Sequence, residues 1–171
     1  LQALDPAHPI SLYLHVPFCR KMCWYCGCNT KISLQDKPIA EYAEALKAEI
    51  RTLVKALPAR FKVSHVHWGG GTPSILAPED FTGIMDLIER HFDYTDKAER
   101  AIEIDPRTLD PETVQALVDG GINRASLGVQ DFNPDVQRAI NRVQSYDLTR
   151  QAVETLRSNG IERLNFDLMY G

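Results

Sequence analysis

Cys19, Cys23, Cys26 and Cys28 fall in one segment, Cys19-Arg-Lys-Met-Cys23-Trp-Tyr-Cys26-Gly-Cys28, and the chain has no other cysteine. Thiols this crowded hold a metal, carry redox chemistry or form a disulfide. The C-x3-C-x2-C-x-C spacing weighs against structural zinc, whose sites bring two close pairs together across a longer loop. A disulfide is disfavoured in a reducing compartment. Cys23-Trp-Tyr-Cys26 has the C-x-x-C form of a redox active site, but that reading leaves Cys19 unexplained. An iron–sulfur cluster fits better, because thiolates are its usual ligands and a single loop wraps around it. Four protein ligands would close such a cluster. Three would leave one iron open.

The elements that must position this loop follow from the apolar pattern. Leu12–Val16, Val63–His67, Ala101–Ile104, Ala125–Val129 and Leu164–Leu168 read as short strands. Between them run helical stripes: Ile39, Tyr42, Ala43, Leu46 and Ile50; Phe81, Ile84, Met85 and Ile88; Val114, Leu117 and Val118; Leu148, Ala152, Val153 and Leu156. Asp110-Pro111 supplies an N-cap and an N1 proline, and Gly120-Gly121 and Gly160 supply stops. Strand and helix alternate without a hairpin signal, which predicts a parallel sheet with helical crossovers. A partial or full barrel and a doubly wound sheet both satisfy this pattern, and both gather chemistry at the carboxyl ends of the strands.

Each strand end is marked. The cysteine loop follows the first strand and Gly69-Gly70-Gly71-Thr72-Pro73 follows the second. Glu103 and Asp105 mark the third, Gln130 and Asp131 the fourth, and Asp167 the fifth. Glycines at such a turn let backbone approach a ligand closely. The run is not G-x-G-x-x-G, since the last position is Ser74, so a dinucleotide fold is disfavoured. His15, His65 and His67 lie on strands and are assigned no metal.

Length and composition set the remaining bounds. A chain of 171 residues with 44% hydrophobic content is expected to form one domain with a real core. A net charge of -4 gives no reason to expect a nucleic-acid partner. No apolar run approaches the roughly 20 residues of a membrane span. Leu1–His8 lacks the charged and apolar regions of a signal peptide, so a reducing cytoplasm is expected. The chain starts without Met and stops just after a strand-like run, so it is expected to be trimmed at both ends.

The Cys19, Cys23, Cys26 triplet after a first strand, with an aromatic before the third cysteine, resembles the signature of radical S-adenosylmethionine (SAM) enzymes. His15-Val-Pro-Phe-Cys19, Cys26-Gly-Cys28-Asn, His67-Trp-Gly-Gly-Gly-Thr-Pro73, Glu103-Ile-Asp-Pro-Arg107, Gly128-Val-Gln-Asp-Phe132, Asn141-Arg142 and Asn165-Phe-Asp167 narrow the resemblance to the oxygen-independent coproporphyrinogen III oxidase family. The resemblance runs from Ser11 to Gly171. It implies an α/β fold: a parallel, partial TIM-like barrel, the radical SAM core, truncated after about five strands. Residues 1–10 would form an N-terminal extension and 11–171 the incomplete core.

By that resemblance Cys19, Cys23 and Cys26 hold a [4Fe–4S] cluster whose fourth iron takes SAM. Tyr13, Tyr25, Gly70, Gly71, Thr72, Glu103, Gln130, Arg142 and Asp167 are the implied SAM contacts, in a family that binds two SAM molecules. The implied chemistry is reductive cleavage of SAM to a 5′-deoxyadenosyl radical. It leads to oxidative decarboxylation of two propionates of coproporphyrinogen III, giving protoporphyrinogen IX on the way to haem. A flavodoxin- or ferredoxin-type reductant is implied, and the cations for substrate carboxylates are Arg20, Lys21 or residues outside this chain. Two rivals stand beside this reading: a radical-SAM-like haem chaperone, and a zinc-stabilised α/β binding module. Cys28 separates the first, because the chaperone branch typically lacks a cysteine there. Cys28 is not an implied ligand, and a free buried thiol is its plain alternative.

Overall fold

The computed structural model describes residues 1 and 3–170. The strands are β1 (Ile10–Val16), β2 (Phe18–Cys19), β3 (Lys31–Ile32), β4 (Lys62–Gly70), β5 (Asp93–Ile104), β6 (Arg124–Gln130) and β7 (Arg163–Leu168). The helices are α1 (Lys37–Ala56), α2 (Pro78–His91), α3 (Pro111–Asp119), α4 (Pro134–Ala139) and α5 (Tyr146–Ser158). All five expected strands are present. β5 starts well before its expected first residue, Ala101, and the two-residue pair β2–β3 and the short helix α4 were not expected.

The main sheet has the order β1-β4-β5-β6-β7, with every neighbouring pair parallel. A doubly wound sheet reverses its strand order at a switch point. This sheet never does, so the order is that of an arc of a β/α barrel. β1 and β7 are its two edges.

One face of the sheet is apolar. Leu14, Val16, Val66, Trp68, Ile102, Ile104, Ala125, Leu127 and Val129 are buried in a core shared with the inner stripes of the helices. Trp68 is fully buried, tilted against Phe81, and its Nε1 donates to Met85 Sδ at 3.4 Å. α3 starts at its expected cap, and α5 has a cap of its own. Asp110 Oδ1 accepts from the Thr113 N–H at 2.7 Å, and Ser145 Oγ accepts from that of Leu148 at 3.1 Å. α1 and α2 are joined by Lys47, whose ammonium lies 2.8 Å from Asp80 and 2.7 Å from Glu44.

The other face alternates into polar side chains: Tyr13 and His15 on β1, His65 and His67 on β4, Glu103 on β5, Ser126 on β6, Asn165 and Asp167 on β7. Parallel strands normally read as continuous apolar runs because helices cover both faces. Period-two alternation in a parallel sheet therefore marks a face that looks into a cavity.

Candidate functional site: a thiol-lined cavity at the strand ends

The cysteine loop is held in place from two sides. On one side the end of β4 supplies backbone: Gly71 N–H donates to Val16 O at 2.8 Å, and Thr72 N–H to Phe18 O at 2.8 Å. A Cβ on Gly71 would stand 2.6 Å from Phe18 O and 2.9 Å from Cys19 Sγ. Gly70 has φ +117°, a region open to glycine and closed to most side chains. On the other side the turn after α4 reaches over. Trp24 N–H donates to Ile140 O at 3.0 Å and Asn141 Nδ2 donates to Met22 O at 2.7 Å. Asn141 sits at φ 56°, a left-handed conformation that asparagine tolerates.

All four cysteines are free thiols. Cys23 is buried, Cys19 and Cys26 are half-buried, and Cys28 is exposed rather than the buried thiol expected as its plain alternative. Thr72 Oγ1 donates to Cys19 Sγ at 3.5 Å. Burial nevertheless pushes the Cys19 thiol up, with Cys26 and Cys23 nearby adding to it. Cys28 is raised first by its hydrogen bond with Cys26.

The expected residues converge. Cys19, Cys23, Cys26, Tyr25, Gly70, Gly71, Thr72, Glu103, Gln130, Arg142 and Asp167 line one cavity of about 170 Å³, and Cys28 and Lys21 line it too. Tyr13 is the exception. Its ring stacks on His67 and its hydroxyl lies 3.1 Å from His15 Nδ1, on the polar face just outside the cavity. It still neighbours the site: a Cβ on Gly69 would meet both the Tyr13 hydroxyl and Glu103 Oε1. Arg20 turns away, to Ser33 O and the Asp36 carboxylate.

The carboxylates are already oriented. Glu103 Oε2 accepts from Gly70 N–H at 3.2 Å, and its Oε1 lies 3.4 Å from His67 Nε2. Asp167 accepts from Ser126 Oγ at 3.1 Å and from Asn165 Nδ2 at 3.0 Å. Gln130 ends β6 at φ 70°, a strained conformation for a side chain other than glycine, at the cavity wall. Tyr25 is pushed up to about 12, by burial first and then by Cys23, against the opposing pull of Arg142.

Beneath the loop lies a network that strand-end reasoning only half identified. Asp105, 7% exposed, pairs with Arg107 Nη2 at 2.6 Å and Arg142 Nη2 at 3.2 Å. Burial alone would raise its carboxyl, but hydrogen bonds and charge from Arg107 and Arg142 outweigh this and hold it below the ordinary range. Arg142 also donates to Gly128 O at 2.7 Å and to Cys23 Sγ at 3.5 Å. Its Nε is buried with no hydrogen-bond partner among the described residues. In the sequence Arg107 stands only as the last letter of Glu103-Ile-Asp-Pro-Arg107. No spacing rule identifies it, because its partner Cys23 lies 84 residues away.

The donor set fits an iron–sulfur cluster better than a single ion. Among the described residues no three His, Cys, Asp or Glu side chains gather as one metal ion requires. The thiols instead line a cavity, as suits a group that takes each thiolate on a different iron. Zinc needs its ligands converged on one point at about 2.3 Å from sulfur.

A family model for the radical SAM superfamily matches residues 13–171, and the chain belongs to that superfamily. Within it, the chain is 52% identical over its whole length to the oxygen-independent coproporphyrinogen III oxidase of Bradyrhizobium diazoefficiens and 43% identical to that of Paracoccus denitrificans. It spans 38% of the length of each. The solved coproporphyrinogen III oxidase of Escherichia coli, described as a radical SAM enzyme, superposes with a TM-score of 0.92 at 40% identity, over 99% of this chain and 39% of that one. A more distant match, anSMEcpe with bound AdoMet, shares the fold at 15% identity and a TM-score of 0.61. Among the described residues no helix is long and apolar enough to cross a membrane.

Proposed function

We propose that this chain is the cluster- and SAM-binding part of an oxygen-independent coproporphyrinogen III oxidase, which converts two propionate side chains of its substrate to vinyl groups. The observation that carries the reading is convergence: the three thiols, the glycine run and the marked ends of β5, β6 and β7 face one cavity. Cys19, Cys23 and Cys26 would hold the [4Fe–4S] cluster, leaving one iron for SAM. When bound, cluster and SAM together supply the one-electron chemistry that starts hydrogen abstraction from a propionate.

The chain's own residues bind, orient and exclude water. Gly70 and Gly71 put backbone on the cavity wall, and the absence of a Cβ leaves room for His15 beside one and for Phe18 O and Cys19 Sγ beside the other. Glu103 and Asp167, fixed by their hydrogen bonds, offer acceptors to an amine or to ribose hydroxyls. Tyr25, with its proton firmly held, presents an apolar ring to an adenine. Thr72, Gln130 and Arg142 complete the walls, and Tyr13 acts from the rim through its neighbour Glu103. Lys21 lines the cavity and offers a cation to a substrate carboxylate. Cys28 beside the thiol triplet supports the oxidase over the haem-chaperone reading. We place the protein in the cytoplasm, where thiols stay reduced and a flavodoxin- or ferredoxin-type donor is at hand.

The test is an anaerobic assay of the full-length protein with coproporphyrinogen III, SAM and reductant. The expected products are 5′-deoxyadenosine, carbon dioxide and a divinyl porphyrinogen. Cluster assembly without any of these would sink the oxidase reading. Reconstitution that yields bound zinc but no iron or sulfide would sink the cluster reading.

A further inference from the structure

The motifs assign Arg107 no role, yet its position is tightly determined. It sits in the 3-10 turn Pro106–Thr108 that follows β5. Asp105 caps that turn, accepting from Arg107 N–H at 3.0 Å. The same carboxylate takes the guanidinium in two-pronged fashion, with Nε at 2.9 Å from Oδ1 and Nη2 at 2.6 Å from Oδ2. A planar fork held on one edge can turn only its remaining N–H groups elsewhere. Here Nη2 reaches Cys23 Sγ at 3.8 Å, while Arg142 Nη1 reaches the same sulfur at 3.5 Å. Cys23 is the most buried of the four cysteines.

Two cations share one buried carboxylate, so the ensemble carries net positive charge beside that sulfur. Donors and positive charge at a ligand sulfur stabilise the reduced, more negative state of an iron–sulfur cluster. Burial strengthens the effect by limiting solvent screening. We propose that Arg107, fixed by Asp105, is a positioning residue that donates to the Cys23 sulfur and thereby raises the reduction potential of the cluster. The inference rests on Cys23 being a cluster ligand. It adds that the β5 turn, and not only the cysteine loop, sets how easily the cluster takes up its electron.

The experiment compares Arg107→Gln and Arg107→Lys with wild type in anaerobically reconstituted protein, without SAM or substrate. Iron and sulfide per chain are measured first, then the midpoint potential by titration followed by electron paramagnetic resonance. Arg107→Gln is expected to keep its cluster and titrate at lower potential. At a fixed solution potential the oxidised-to-reduced ratio should rise on the order of tenfold, which is 59 mV for a one-electron couple. Arg107→Lys keeps the charge without the fork and should fall between the two. A merely structural role for Arg107 would change cluster content and leave the potential of intact clusters alone. An unmoved potential in fully loaded Arg107→Gln overturns the proposal. If that variant does not assemble, an unmoved potential in Arg107→Lys overturns it instead. Full cluster content with an unaltered spectrum in Cys23→Ser removes the underlying ligand assignment, an outcome distinct from the others.

Discussion

Gly71→Ala tests the seam between the cysteine loop and the sheet. The added Cβ would land 2.6 Å from Phe18 O and 2.9 Å from Cys19 Sγ, closer than real Cβ atoms approach. Gly71 has no left-handed φ, so the cost is steric and not one of backbone conformation. Phe18 O cannot simply retreat, because it accepts from Thr72 N–H at 2.8 Å. Overpacking of this kind costs about 1–3 kcal/mol, and each 1.4 kcal/mol is about tenfold in the folding equilibrium. The comparison is Gly27→Ala in the same loop, where an added Cβ meets nothing within 4 Å among the described residues. That change should be neutral or stabilise by about 0.4–1 kcal/mol, through the unfolded chain. Urea unfolding followed by circular dichroism measures both, and anaerobic iron uptake reports on the thiols. Gly71→Ala should lose stability and iron uptake together, while Gly27→Ala loses neither. Equal midpoints and equal iron uptake for the two variants would refute the argument that contact at Gly71 holds the loop in register.

Three further outcomes are expected. Asp105 is held below its ordinary 3.8, so its ion pairs stabilise the fold fully above that value and are lost as pH falls through the lower folded value. Asp105→Asn should flatten the acid side of a plot of urea midpoint against pH, and an unchanged slope between about pH 5 and 2 would contradict it. Trp68→Ala removes a fully buried indole and its contact with Phe81, at a cost of about 3–5 kcal/mol by thermal or urea unfolding. Asp110→Ala deletes the α3 cap and should cost about 1 kcal/mol, leaving helix content nearly unchanged.

The strands were legible because their apolar residues recur with a clear period between proline and glycine stops, as in Asp110-Pro111 and Gly120-Gly121. The choice between barrel arc and doubly wound sheet was not, since strand order depends on pairings that leave no trace in a single strand. The cavity was legible to the extent that its residues sit at strand ends, where architecture alone brings Cys19, Gly70, Glu103, Gln130 and Asp167 together. Tyr13 fell outside because it lies in mid-strand. The Asp105–Arg107–Arg142 network under Cys23 stayed hidden for another reason. A buried ion pair is written in the sequence only as ordinary charged letters, and what makes it special is the burial. α4 is too short for its periodicity to show.

The sequential strand order has a consequence for how the protein is made. Each strand pairs with the one synthesised before it in the main sheet, so the sheet grows in the direction of translation. Gly71 and Thr72 close the cysteine loop onto β1 as soon as β4 has formed. Arg142 arrives much later, 119 residues after Cys23. Counted from Thr72, which closes the loop, Arg142 is 70 residues away, and at roughly 5–20 residues per second the closed loop waits for something like 4–14 s. During that interval the thiols are shaped for metal but lack the guanidinium that will later cover Cys23. The cover over Cys23 is thus among the last parts of the site to be made, and the order of synthesis places the cysteine loop first and its guanidinium late.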